Sequence, residues 1–200
     1  MALGVKLEDA PALKVGGQPA SQVLPPLAVL NRMGALFCID MHAGIAKIPV
    51  VAMPVASPEW GLFNADPVKR LYLMQASCTQ KSSTSMGLGL AIVAASAIGR
   101  QTAVTTDYGG TIKSALNGSQ AKPNVWLADN PTLVGGTPAW HVFDATKPNT
   151  IATNSIGDGL VAKVDGLLSA PPNGGMIGFE IVGEIGVDSA FTVSFIIAML

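Results

Sequence analysis

The stretch GMIGFEIVGEIGVDSAFTVSFIIAML (residues 175–200) is the most regular part of the chain and decides its predicted fold. Between residues 177 and 188 the odd-numbered positions are mostly large and apolar, and the even-numbered positions are glycine, valine or an acidic residue. Such an alternation with period two is typical of a β-strand that buries one face. The pattern therefore predicts a strand on which Glu180 and Glu184 point outward into solvent.

A short turn then leads into a second alternating run that extends to Leu200. One face of this run is apolar throughout, whereas the other begins with hydroxyl residues and becomes apolar from Ile196 onward. A strand that is apolar on both faces is covered on both faces. We therefore expect Phe195, Ile197 and Met199 to face the core. Ile196 and Leu200 are expected to face a partner subunit.

Shorter segments upstream carry similar signals. Residues 37–42 alternate, and residues 86–99 favour a strand over a helix because they begin with two glycines and are flanked by turn residues. Prolines at 49, 54 and 58 place residues 46–60 in an edge strand or a surface loop. Segments of about 5–8 residues between turn signals predict an all-β fold, an antiparallel β-sandwich over residues 31–200.

Residues 1–30 differ from the rest and are expected to form an extended N-terminal arm with at most one short helical turn. Paired glycines and paired prolines interrupt this stretch, and its periodicity is weak. Its spaced apolar residues suit docking onto a neighbouring surface better than free solution. The expected interface residues of the arm are Leu7, Leu13, Val15, Val23 and Leu24.

The composition limits the class of protein. A chain of 200 residues makes one domain, or one domain with an arm. A net charge of −1 argues against nucleic-acid binding, and no run of about 18 apolar residues is present to span a membrane. Two cysteines give no disulfide framework and suit a reducing cytoplasm. Because 49% of the residues are apolar and 12% are charged, we expect neighbouring subunits to cover part of the surface.

Cys38, Asp40 and His42 share one face of the strand predicted at residues 37–42. A thiol, a carboxylate and an imidazole are the groups of a metal site or of a thiol nucleophile. Residues four apart on a strand are separated by about 13 Å, however, which is too far for a direct Cys–His pair. We favour an outward polar face, and we predict no catalytic residue, metal site or cofactor.

Other residues keep alternative functions open. Trp60, Trp126 and Trp140 are candidate platforms for stacking a sugar, although a Trp beside glycine-rich loops more often caps a sandwich core. His42 and His141 could serve a cupin-like metal enzyme. The chain has no complete dinucleotide fingerprint, no Walker motif and no nucleophile elbow. A structural protein is therefore the preferred hypothesis. The alternatives are a carbohydrate- or receptor-binding module and a cupin-like enzyme.

Three stretches carry a resemblance to a known group of proteins: GLFNADPVKRLYL (61–73), CTQKSSTSMGLGLAIV (78–93) and APPNGGMIGFEIVGEIGVDSAFTVSFIIAML (170–200). Their organisation resembles that of β-sandwich virion proteins of tailed bacteriophages, in which a jelly-roll domain decorates or cements the capsid. The last stretch is similar to the closing hairpin of such a domain. The closing strand departs from the usual pattern because it lacks polar residues at its end, and the group has no catalytic residues to carry over.

The resemblance implies a jelly-roll-like sandwich with an N-terminal arm and a non-enzymatic role. We expect an oligomeric capsid decoration or cement protein that is made in the host cytoplasm and stabilises the head of the virion. Its expected partners are copies of itself, as a homotrimer, and the major capsid protein or another virion protein. Binding to nucleic acid or to a membrane is not expected.

Overall fold

The computed structural model describes residues 14–15, 18–19, 26–41, 46–82, 90–105, 110–114, 123–146, 159–183 and 190–200. These residues are almost entirely β structure with one short helix. In chain order the elements are β1 (Lys14–Val15), β2 (Gln18–Pro19), α1 (Pro26–Arg32), β3 (Leu36–Met41), β4 (Trp60–Asn64), β5 (Leu71–Ser82), β6 (Leu90–Ser96), β7 (Gly110–Ser114), β8 (Val125–Asp129), β9 (His141–Thr146), β10 (Gly159–Ala170), β11 (Gly175–Gly183) and β12 (Ala190–Met199).

Ten of the strands form two five-stranded sheets in which neighbouring strands run antiparallel. The first sheet has the order β10-β5-β12-β3-β7, and the second has the order β8-β4-β11-β6-β9. The predicted antiparallel β-sandwich is therefore confirmed, including the strand from residues 86–99, which the structure places at Leu90–Ser96.

The connections identify the kind of sandwich. From β3 to β6 each successive strand moves to the opposite sheet, β6 and β9 then pair within the second sheet, and β10 to β12 alternate again. The strands β7 and β8 come from the long β6–β9 connection and lie at sheet edges. The remaining eight strands have the double-sheet order of a jelly roll.

The core lies between the sheets and consists of large apolar side chains. Trp60 and Phe179 are fully buried, and the ring of Phe179 meets that of Phe195 edge-to-face at 4.9 Å between centroids. Phe195, Ile197 and Met199 are at most 2% exposed, so the prediction that they face the core is confirmed. Along β12 the outer positions from Thr192 to Ile196 are only half-buried.

The helix α1 differs from the sequence prediction. Its seven residues exceed a single turn, and it crosses the expected arm boundary at residue 30 before contacting β3. The helix ends because Gly34 adopts a positive φ of 67° and Ala35 N–H donates to the Leu30 carbonyl, which satisfies a free carbonyl of the last turn. Among the described residues, no helix has the length and apolar character needed to cross a membrane.

Four residues of the predicted arm interface, Leu7, Leu13, Val23 and Leu24, lie outside the described residues. Val15 belongs to β1, which pairs antiparallel with β2, and only its backbone is described.

Candidate functional site

Residues 46–59, which we call the cover segment, fasten onto both sheets where the regular strands leave an edge open. Lys47 exchanges both backbone hydrogen bonds with Phe191 of β12, at 3.0 and 2.8 Å. Val50 N–H donates to the Ile181 carbonyl at 2.9 Å, and Gly183 N–H donates to the Val50 carbonyl at 2.8 Å. The edge of β11 is free here because β4 pairs with it only as far as Phe179. The prediction of an edge strand or surface loop is thus correct, and the segment spans the rim of the sandwich.

The end of the cover segment packs onto the outer face of β11. A Cβ atom at Gly178 would lie 2.8 to 3.0 Å from side-chain atoms of Leu133, Pro58 and Trp140, so only glycine fits there without movement. The indole of Trp140 donates to the Val55 carbonyl at 3.2 Å. At Gly178 the outer face of the second sheet is therefore buried, and Trp140 is one of the side chains that cover it.

A second apolar cluster extends this covered face. Its buried members are Phe63, Ala128, Leu133 and Met176, and the half-buried Trp126 and Trp140 pack against them. Trp60, by contrast, is fully buried in the main core, so this candidate has no exposed face on which a sugar could stack. The three tryptophans do not form one platform, because Trp60 and Trp126 point to opposite sides of the second sheet.

Glu180 lies beneath the cover segment and is 0% exposed. One of its carboxylate oxygens accepts a hydrogen bond from Glu59 N–H at 2.8 Å, and the other accepts from Ile181 N–H at 2.9 Å. The prediction that Glu180 points into solvent is wrong, because residues 121 positions away close over it. Glu184, its expected companion, lies outside the described residues.

The environment of Glu180 favours the protonated acid. Burial, followed by the charge of Glu59, raises the pKa of Glu180 to about 7, although its two backbone hydrogen bonds and Lys47 act in the opposite direction. Burial likewise raises the pKa of Glu59 above its ordinary value. One buried oxygen of the Glu59 carboxyl group has no hydrogen-bond partner among the described residues. The site is therefore a covered pair of carboxyl groups with a preference for holding a proton.

Lys47 ties this pair to the end of β8. Its ammonium group donates to the Glu59 carbonyl at 2.9 Å, to Asn130 at 3.0 Å and to the Asp129 carboxylate at 2.5 Å. It also lies 5.3 Å from the centroid of the Trp60 ring, within range of a cation–π contact. The lysine thus holds Glu59, the last residue of the cover segment, and forms an ion pair with Asp129.

The upper surface of the cover segment is apolar. Ile48, Val51, Met53 and Val55 are between 43% and 70% exposed, whereas Pro49 and Pro58 are buried against the sheet. An apolar surface of this kind marks a site of interaction more often than a free face. The run IPVVAMPV (residues 48–55), which carries no polar side chain, is the sequence signal that would have revealed it.

The face predicted from Cys38, Asp40 and His42 is partly described. Cys38 is half-buried and Asp40 is exposed on the outer face of the first sheet, while His42 lies outside the described residues. Burial and the charge of Asp40 raise the pKa of the Cys38 thiol, which disfavours the nucleophilic thiolate. Among the described residues, no three His, Cys, Asp or Glu side chains are grouped to hold a metal ion.

Polar side chains also lie in two regions away from this face. His141 is exposed at the start of β9, with its ring 6.1 Å from that of Phe143. An open depression of about 480 Å³ lies beside Asp129, Thr132 and Met176. At its rim the buried Gln101 accepts a hydrogen bond from Val134 N–H at 2.8 Å and donates to the Val134 carbonyl at 3.0 Å. Its amide is therefore occupied in joining two loops.

No protein-family model, curated protein or solved structure matches this chain. The proposed function therefore rests on the geometry of the described residues and on the resemblance seen in the sequence.

Proposed function

We propose that this chain is a non-enzymatic structural subunit of a virus particle, a decoration or cement protein that stabilises a phage head by contacts between subunits. The jelly-roll order of the strands supports this proposal because viral capsid proteins are among the proteins that use this architecture. Lectins and cupins use it too, so the fold alone does not decide between them. The choice depends on what the sandwich contains and what its surface presents.

The interior supports a structural role over a cupin-like enzyme. The space between the sheets, where a cupin would hold its metal, is filled by Trp60, Phe179 and Phe195. A core packed with these side chains stabilises the fold and leaves no space between the sheets for a substrate at this position. Trp140 favours a structural role over sugar binding as well, because its ring packs on Gly178 and its indole N–H is bonded to the Val55 carbonyl.

The apolar upper surface of the cover segment is the observation that carries the proposal. It places four large apolar side chains within eight residues on the outside of the protein. A stable interface buries about 1,600 Å² in total, and each square ångström of apolar surface removed from water contributes about 25 cal/mol. The proposed occupant of this surface is another copy of the chain, in a homotrimer that also contacts the major capsid protein.

Ile196 and Leu200 form a second proposed contact, on the first sheet. Ile196 is half-buried on the outer face of β12, and Leu200 is 51% exposed. The arm residues named above would add to the contacts on the capsid surface.

Sedimentation over a range of concentrations tests the proposal. We expect the chain to self-associate at micromolar concentration, and Val51→Lys to reduce assembly because it places a charge at a desolvated contact. The matched control is Leu167→Lys, at a residue that is 80% exposed on β10; this variant should assemble like the parent. Both variants should keep the parental melting temperature. A parent that stays monomeric at tens of micromolar, or a Val51→Lys variant that assembles normally, would contradict the proposal.

The virion location has its own test in the surrounding genes. A gene for a major capsid protein beside the gene for this chain would support it. A neighbourhood of metabolic genes would count against it.

A further inference from the structure

The two ends of the cover segment are held in different ways. Near its start, Lys47 and Val50 make backbone hydrogen bonds to β12 and β11. At its end, the Glu59 carbonyl accepts hydrogen bonds from Asn130 N–H and from the Lys47 ammonium group. Glu59 N–H donates to the Glu180 carboxylate. The backbone bonds do not respond to pH, whereas the hydrogen bond to the Glu180 carboxylate and the contact with the Lys47 ammonium group depend on the charges of the side chains.

The charges around Glu180 are unevenly matched. Glu59 and Lys47 face it from the cover segment, and Asp129 at the end of β8 is bonded to the same lysine. From β6 the residue paired with Glu180 is Val93, which is uncharged and fully buried. When all three carboxyl groups are ionised, this covered region has an excess of negative charge. A proton on the Glu59–Glu180 pair reduces that excess.

We infer that the cover segment is a pH-controlled strap, closed while the Glu59–Glu180 pair holds a proton and opening more often once the proton is lost. Opening admits water to Glu180 and relieves the cost of a buried charge. The partner surface formed by Ile48, Val51, Met53 and Val55 would lose its fixed shape at the same time. The strap would thus regulate the contact surface of the proposed function, although its opening does not itself depend on that function.

The direction of the effect follows from linkage. In the closed form the pKa of Glu180 is about 7, and in an open, hydrated form it returns toward the ordinary value of 4.5. Opening therefore becomes more favourable as pH rises from about 4.5 to about 7 and is constant outside that window. The opening equilibrium should increase by up to about 300-fold across it.

Amide hydrogen exchange, measured by NMR on the full chain at a concentration where sedimentation shows a monomer, tests this inference. Rates are divided by the intrinsic rate at each pH to give protection factors. We expect the protection of the Glu59 amide, and more weakly of the Val50 amide, to fall by one to two orders of magnitude between pH 5 and pH 8. The amide of Phe195 in the core should keep its protection. Equal protection of Glu59 at both values would overturn the inference.

Two variants and a control identify the group that titrates. Glu180→Gln should make the protection of the Glu59 amide independent of pH, while Asp40→Asn, an exposed acid on the other sheet, should behave like the parent. Glu59→Gln removes the neighbouring charge and should move the transition to lower pH, which gives a second test if Glu180→Gln does not fold. A transition that stays in place in Glu59→Gln would overturn the role of the pair.

These results separate the strap from the proposed function. If exchange depends on pH as described but the chain never self-associates, the strap stands and the assembly proposal fails. If the chain assembles through Val51 but exchange is independent of pH, assembly stands and the strap fails.

Discussion

The two sheets of this sandwich share one core, but their outer faces are in different environments. On the first sheet the outer positions around Ser77, Ser194 and Asp40 are half-buried or exposed, and hydroxyl groups reach the surface there. On the second sheet the corresponding side of β11 lies beneath the cover segment, and Glu180 is 0% exposed. Around these residues the first sheet is thus open on its outer side, and its outer face is closed only toward the end of β12, where Ala198 is 0% exposed. The second sheet, by contrast, has packed side chains on both sides of β11.

The difference shows that the solvent exposure of a strand's outer face depends on which other segments of the chain pack over it. The central strands β12 and β11 each lie between two paired neighbours. Among the described residues, the proline-rich cover segment packs on the outer face of β11, where its buried Pro58 lies at the place that a side chain at Gly178 would occupy. A carboxyl group placed on that strand consequently titrates near neutrality, as an exposed group would not.

The largest expected effect concerns the core that both sheets share. Phe195→Ala should lower the free energy of unfolding by about 3–5 kcal/mol, because it leaves a cavity beside the ring of Phe179. Ser194→Ala, one residue away on the open face, should change it by less than about 0.5 kcal/mol. Urea denaturation of both variants makes the comparison. Equal losses would mean that the outer face of β12 is as enclosed as its inner face.

A smaller effect should appear in the pH dependence of stability. The folded-state pKa of Glu180, about 7, is above the ordinary value of 4.5, so its contribution is complete below pH 4.5 and is lost as pH rises to about 7. The loss should be on the order of 3 kcal/mol. Asp66 has a lowered pKa because Val68 and Lys69 N–H groups bond to it, so its contribution is lost only in more acidic solution.

Denaturation of the parent and of Glu180→Gln at pH 4.5, 6 and 8 isolates this contribution. The difference in unfolding free energy between the two proteins should move in favour of the variant as pH rises. A difference that is constant with pH would place Glu180 in solvent and make the two outer faces alike.

The smallest of these effects concerns packing on the two faces. Gly178→Ala adds one methyl group beneath Pro58, Leu133 and Trp140 and should cost about 1–2 kcal/mol, because those side chains must move. Ser77→Thr adds one methyl group on the open face and should remain within about 0.5 kcal/mol of the parent. Thermal or chemical unfolding of the pair would show whether the cover is as tightly packed as described. A neutral Gly178→Ala would indicate a loose cover.

The sequence predicts the fold better than it predicts the site. Alternation identifies β12 and its core residues Phe195, Ile197 and Met199, because side chains on a strand point alternately to its two faces. The same rule applied to β11 places Glu180 outside. Alternation shows that the two faces of a strand differ in polarity. It does not show whether the more polar face is exposed to solvent or is covered by another segment of the chain.

The parts that sequence reasoning missed depend on distant contacts. The burial of Glu180 requires Glu59, which is 121 positions away, and Leu133 and Trp140 also cover β11 from a different connection. Trp60 illustrates the converse, since its sequence context left both a surface platform and a core position open, and the structure places it in the core. The apolar run at residues 48–55 was the available signal for the exposed surface. Its prolines indicate a loop, but they do not show which of its side chains face outward.

The carboxyl carbon of Glu180, followed by NMR as a function of pH, tests the covered face most directly. We expect a midpoint of about 7 for Glu180, with Asp66 in the same spectrum titrating below its ordinary value of 3.8. In Glu59→Gln the Glu180 midpoint should fall, because the charge that helps to raise it is gone. A Glu180 midpoint near 4.5 in the parent would contradict the account, since it would mean that solvent reaches the outer face of β11 as freely as that of β12.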